Sequence, residues 1–156
     1  MVEVLFAPEF VPISAEARIT IPQPYCEKIL WIRGDQIMRV WLLGLVPGRF
    51  RLLSDLEVEQ SQKLRELRAA IIDGPSDTAP DPTAFESNEL AALVGRLIPT
   101  TLSPPRPSWR LLVPKQILPQ DKSKKTIVLL FSLGYLEVWN LETYNAALAQ
   151  PLDSVI

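Results

Sequence analysis

The residues of this chain best suited to grip a ligand are two arginines that recur in one setting. Arg18 opens Arg18-Ile-Thr-Ile-Pro22 and Arg110 opens Arg110-Leu-Leu-Val-Pro114, with the same step from arginine to proline. A guanidinium presents a planar fork of donors that matches phosphate oxygens or the acceptor edge of guanine. Thr20 stands two residues after Arg18 and Lys115 directly follows Pro114, adding a hydroxyl and a second cation. Catalytic chemistry finds little here: there is no histidine, no phosphate-cradling glycine loop and no spaced set of metal ligands. Cys26 is the sole thiol, and on an apolar-flanked helical turn without a histidine partner it reads as a small core residue. The carboxylates of "DLEVEQ" open a helix, where they complement its dipole. The pattern predicts a binding protein rather than an enzyme, with no cofactor, no metal and no small-molecule substrate.

Charge narrows the partners only slightly. Formal net charge is −2: residues 1–70 carry nine basic and nine acidic groups, residues 71–105 one and five, and residues 106–156 six and four. No block is basic enough to announce nucleic acid by itself, so a cationic surface would have to be built locally or by oligomerisation. Lys28, Arg33, Arg39, Lys115, Lys122, Lys124 and Lys125 are candidates for auxiliary phosphate contacts, although each reads equally as a solvated charge. The opening "MVEVLFAPEF" lacks a basic, then long apolar, leader, and the longest apolar run, "IVLLFSLGYL", suits a buried strand and turn. A cytoplasmic or nucleoid-associated protein with no membrane partner is expected.

The elements that must position the arginines are themselves repeated. "RVWLLGLVPGRFRLLS" (39–54) parallels "KTIVLLFSLGYLEVWN" (125–140), with Gly48 matching Gly134, after an insertion in the first copy near "LWIRGDQ". Each copy reads as strand, proline-marked turn, one helical turn, strand, glycine turn, strand and a longer helix. Pro24 suits the first position of the helical turn in copy one, whereas Pro119 cuts the equivalent turn short in copy two. Ser54 and Glu57 predict a capping box for a helix with Leu64, Leu67 and Ile71 on one face, stopped by Gly74-Pro75. "GPSDTAPDPTAFES" reads as a linker, and "NELAALVGRLI" predicts a helix with Leu90, Leu93, Val94 and Leu97 on one face. Proline-rich "PTTLSPPRP" leads into copy two, after which Asn140 caps a helix with Leu141, Tyr144 and Leu148 on one face, ended by Pro151. Trp31, Trp41, Trp109 and Trp139 read as hydrophobic payload.

"ARITIP", "WRLLVP" and above all "GYLEVWNLETYNAAL" resemble the MraZ family, over about residues 13–150. That resemblance implies an α+β, β-rich fold: two tandem SpoVT/AbrB-type swapped-hairpin units forming an intrachain pseudo-dimer, with connecting and C-terminal helices. The expected divisions are 1–54, 55–105 and 106–156. It also implies a homo-oligomeric ring that binds repeated sites on double-stranded promoter DNA as a repressor of division and cell-wall genes. Carried over by position, the DNA-contacting signature D-x-x-x-R selects Arg18 and Arg110, accompanied by Thr20 and Lys115. Ser14 and Arg106 occupy the aspartate positions, Ala17 and Trp109 the glycine positions. Trp109 either packs or blocks the DNA-facing surface. Two alternatives therefore stand beside the regulator: an assembly that has lost DNA binding, and an AbrB-type antitoxin-like regulator, for which "PLDSVI" offers little tail.

Overall fold

The computed structural model describes residues 8–29, 31, 32, 34, 36–73, 95–104 and 109–149. In chain order these form β1 (Glu9–Pro12), β2 (Arg18–Thr20), α1 (Gln23–Lys28), β3 (Met38–Val46), β4 (Arg49–Ser54), α2 (Asp55–Glu59), α3 (Gln62–Asp73), β5 (Leu97–Ser103), β6 (Arg110–Leu112), β7 (Thr126–Ser132), β8 (Tyr135–Asn140) and α4 (Leu141–Leu148). The fold is sheet-rich α+β. Eight strands make one antiparallel sheet in the order β1-β7-β8-β4-β3-β5-β6-β2, whose outer strands approach each other to leave a nearly closed barrel.

Strand alternation fills the barrel. Val40 and Leu42 of β3, Phe50 and Leu52 of β4, Ile127 and Leu129 of β7, and Leu136 and Val138 of β8 point inward, where Ile19, Ile21, Leu111 and Val113 meet them. β3 reads as an unbroken apolar run because its other face is buried too. Trp41 there joins Leu53, Val58, Leu67 and Leu97 beneath α2 and α3. Ser54 and Glu57 form the expected capping box, but one predicted helix becomes two. Ser61 accepts the Leu64 N–H through its hydroxyl and restarts the chain as α3, a local bond that competes with continuous helix. Leu64, Leu67 and Ile71 pack inward as their spacing predicts. Arg68 clips the pair by bonding Asp55 and Glu59. Asn140 caps α4 by accepting the Thr143 N–H at 3.0 Å. Leu141 is buried below it, while Leu148 is 66% exposed, so the predicted face is covered only at its start.

The stretch after the first expected helix and linker ends in a strand where the second helix was expected to end. Leu97 belongs to β5 rather than to a helix face; Leu90, Leu93, Val94, the linker and Pro151 lie outside the described residues. Pro99 is tolerated in β5 because β6 pairs only with Leu102 and Ser103, so no second neighbour asks Pro99 for a donor. Buried Thr100 donates its hydroxyl to the Leu112 carbonyl nearby. β1 is likewise an element that periodicity did not announce. Residues 115–118 form turns where copy one has α1, as Pro119 predicts. Among the described residues no helix is long and apolar enough to cross a membrane.

Candidate nucleic-acid interface

The short ladder between β2 and β6 gathers the arginines. Its register pairs Arg18 with Leu112, Ile19 with Leu111 and Thr20 with Arg110. Ile19 and Leu111 are buried in the barrel and hold the ladder down. Residues two apart share the opposite face, so Arg18, Thr20, Arg110 and Leu112 project outward together. Thr20 and Arg110 are exposed, and Arg18 is half-buried. The two arginines are diagonal neighbours, a relation that separates Cα atoms by roughly 7–8 Å. The Arg18 Nε is shielded from solvent and has no hydrogen-bond partner among the described residues.

Two further bonds extend this ladder symmetrically. The Val113 N–H donates to the Ala17 carbonyl at 2.7 Å, and the Ile21 N–H donates to the Trp109 carbonyl at 2.8 Å. Ala17 and Trp109 are the residues before the two arginines, so the same bond is made once by each half. Their side chains behave differently. Ala17 adopts φ 60°, a left-handed conformation in which a Cβ is strained and glycine is not. Trp109 is buried in the barrel core, which decides the alternative left open by sequence: it packs and does not cover the ladder's outer face.

Ser14 does a loop-closing job at its end of the ladder. Its N–H donates to the Arg18 carbonyl at 2.8 Å, its hydroxyl accepts the Arg18 N–H at 3.2 Å, and its carbonyl accepts the Ala17 N–H at 3.0 Å. Across the other hairpin the residue facing Arg110 is Ser103. Counting back four residues reaches Arg106, which lies outside the described residues, so an ungapped alignment passes over the residue that pairs with the arginine. The second hairpin has the longer loop. No sequence signal pointed to Ser103, because the match was made by distance along the chain.

Lys115 is exposed on the turn leaving β6, beyond the end where Ala17 and Arg18 stand. Lys122, Lys124 and Lys125 lie across a cleft from the Ser14–Ala17 loop. Arg39 is exposed, its charge acting on Asp55, and Lys28 lines a separate cleft with Trp31 and Tyr135. Arg33 lies outside the described residues. Cys26 is half-buried, its thiol donating to the Ile21 carbonyl at 3.6 Å, and burial pushes its pKa up. That is the behaviour of a packed thiol, not of an activated nucleophile.

A buried polar cluster braces the far side of the barrel. Glu137 is fully buried and accepts both the Nε and Nη2 of Arg49 at 2.9 Å and the Trp139 indole N–H at 3.0 Å. The Arg49 guanidinium also lies 5.0 Å from the Trp139 ring centroid, and its pKa is raised chiefly by the Glu137 bond. This cluster holds β4 against β8 and is structural. No protein-family model matches the sequence, and no curated protein matches it either.

Proposed function

We propose that this chain is an MraZ-like, sequence-specific DNA-binding transcriptional regulator acting as a repressor in an oligomeric ring, and that the outer face of the β2–β6 ladder is its reading surface. One observation carries the proposal: Arg18, Thr20 and Arg110, from opposite halves of the chain, share one exposed face of a two-stranded β element. Such an element fits the major groove, and a guanidinium reads guanine there or binds phosphate.

The pairing pattern supports two swapped-hairpin units joined as an intrachain pseudo-dimer. Exchanging β1, β2, β3 and β4 for β5, β6, β7 and β8 leaves the cyclic strand order unchanged, with β1 on β7 as β5 is on β3. Exposed Phe10, Ile72 and Leu148 offer apolar surface for self-association. A ring compensates for few contacts per chain by effective concentration. The second reading, an assembly without DNA binding, draws on the same apolar surface and on a net charge of −2.

Selection of bound duplexes from a random pool, with light scattering on the same preparation, tests the proposal. An enriched motif and an oligomer are expected, with the Arg18→Ala/Arg110→Ala double variant binding at least about tenfold more weakly, since one good base contact contributes about 1–3 kcal/mol. A strict monomer, no enriched sequence, or a double variant that binds like wild type rejects it in favour of a protein-interaction role.

A further inference from the structure

The "DKSKK" segment folds into more than a solvated turn. With the Ser14–Ala17 loop it lines a mostly apolar cleft of about 280 Å³, so the lysine-bearing turn of one half stands beside the arginine-bearing hairpin of the other. The segment is held from several sides. Glu142 accepts the N–H groups of Gln120 and Asp121 at 2.7 and 3.3 Å, and the Asn140 amide donates to the carbonyls of Ile117 and Leu118. The Ile13 N–H donates to the Lys125 carbonyl at 3.0 Å, tying the segment to the hairpin.

The acids nearby do not neutralise the three lysines directly. Asp121 is engaged by the Ser123 hydroxyl at 2.6 Å and the Ser123 N–H at 3.0 Å, and these bonds, with a smaller effect of the Lys124 charge, hold its carboxyl below the usual range. Glu16 stands at the tip of the hairpin loop and is exposed. Lys122, Lys124 and Lys125 are exposed as well. The arrangement is one-sided: Arg39, the counterpart of Lys125 in the repeat, is exposed at the other end of the repeat, where its charge acts on Asp55.

We infer that the exposed lysines around this cleft form a phosphate clamp beside the reading ladder, in which Lys122, Lys124 and Lys125 hold the phosphodiester backbone of a duplex whose groove receives Arg18 and Arg110. It rests on the DNA-binding reading above and adds the site that would supply sequence-independent affinity. Lysine is a compact point charge, suited to phosphate without base preference. Each phosphate so neutralised adds about 0.9 to the slope of log affinity against log salt.

Salt titration of binding to a labelled random-sequence duplex tests the clamp. Three full-length proteins are compared with wild type: Lys122→Ala/Lys124→Ala/Lys125→Ala, Lys63→Ala/Arg65→Ala/Arg96→Ala, which removes three cations elsewhere, and Arg18→Ala/Arg110→Ala. The exposed positions of the lysines leave the fold intact, checked by circular dichroism. The cleft variant is expected to lose about 2–3 from the slope and about tenfold or more in low-salt affinity, converging with wild type at high salt. An unchanged cleft variant beside a weakened Arg18/Arg110 variant overturns the clamp and leaves the ladder in place. Equal losses in both triple variants assign the effect to net charge and also overturn it. Absence of binding by wild type overturns the clamp and the DNA-binding reading together.

Discussion

Immediately before its arginine, the first half holds Ala17 at φ 60° on a tight loop, and the second half holds Trp109 inside the barrel. The backbone bond at the two positions is the same, yet one side chain carries strain and the other carries packing. The hairpin turns differ in the same way. Gly48 and Gly134 both have positive φ, but a Cβ at Gly48 would overlap the Thr143 hydroxyl of α4, whereas a Cβ at Gly134 meets nothing. The same backbone bond and the same turn conformation thus recur at matching positions, while the side-chain neighbours differ.

The largest expected contrast lies at the residue before the arginine. Trp109→Ala removes a buried indole and should cost about 3–5 kcal/mol of folding stability. Ala17→Gly at the matching position should have the opposite sign and stabilise by about 1 kcal/mol, because a left-handed Cβ costs about 1–2 kcal/mol and glycine's extra chain entropy returns part of it. Denaturant titration of both variants reads the two signs, and destabilisation by Ala17→Gly would break the comparison.

Next comes the junction of the halves, where Arg51 and Glu137 occupy matching places and face each other across β4 and β8. Glu137 bonds Arg49 rather than Arg51, whose guanidinium lies 4.4 Å from the Tyr135 ring centroid. Glu137→Ala should cost about 2–3 kcal/mol, below the usual range for a broken buried pair because water still reaches Arg49. Arg51→Ala should cost less than half of that. Equal losses in urea unfolding would show that the junction is shared evenly.

The turn glycines give a smaller split. Gly48→Ala combines backbone strain with overpacking and should cost about 2–3 kcal/mol, against about 1 kcal/mol for Gly134→Ala. Adding Thr143→Ala to the first variant should recover part of the loss. Matching melting-point shifts for the two single variants would remove the distinction between the turns.

The smallest effect separates the two helix starts by pH. Asp55 carries a charge where its counterpart Leu141 carries none, and the Trp41 indole N–H, bonded at 2.9 Å, followed by Arg68, holds the Asp55 carboxyl below its ordinary value. A folded pKa below the unfolded value of about 3.9 gives stability that is present above that value and lost as pH falls through the folded pKa. Asp55 is largely exposed, so screening keeps the contribution to a few tenths of a kcal/mol. Asp55→Asn should flatten the stability profile below about pH 4, and an unchanged acid limb in thermal melts would assign that limb to other carboxylates.

The sequence by itself determined the local pieces. The Arg-to-Pro spacing, the turn glycines, the Ser54 and Asn140 caps and the β-prone runs of β3, β4, β7 and β8 are read within a few residues, because φ preference, capping and β propensity act over that range. Tertiary structure decided the rest. β5 holds Pro99 and threonines that read as linker, and it becomes a strand because β3 lies alongside to pair with it. Ser103 faces Arg110 because ladder register, not distance along the chain, sets partners across a hairpin with a longer loop. Trp109 shares a strand face with Leu111 and Val113, and the barrel decided that this face is the buried one. The shared face of Arg18, Thr20 and Arg110 has the same origin: two strands far apart in the chain meet in one register, and only their long-range pairing brings them together.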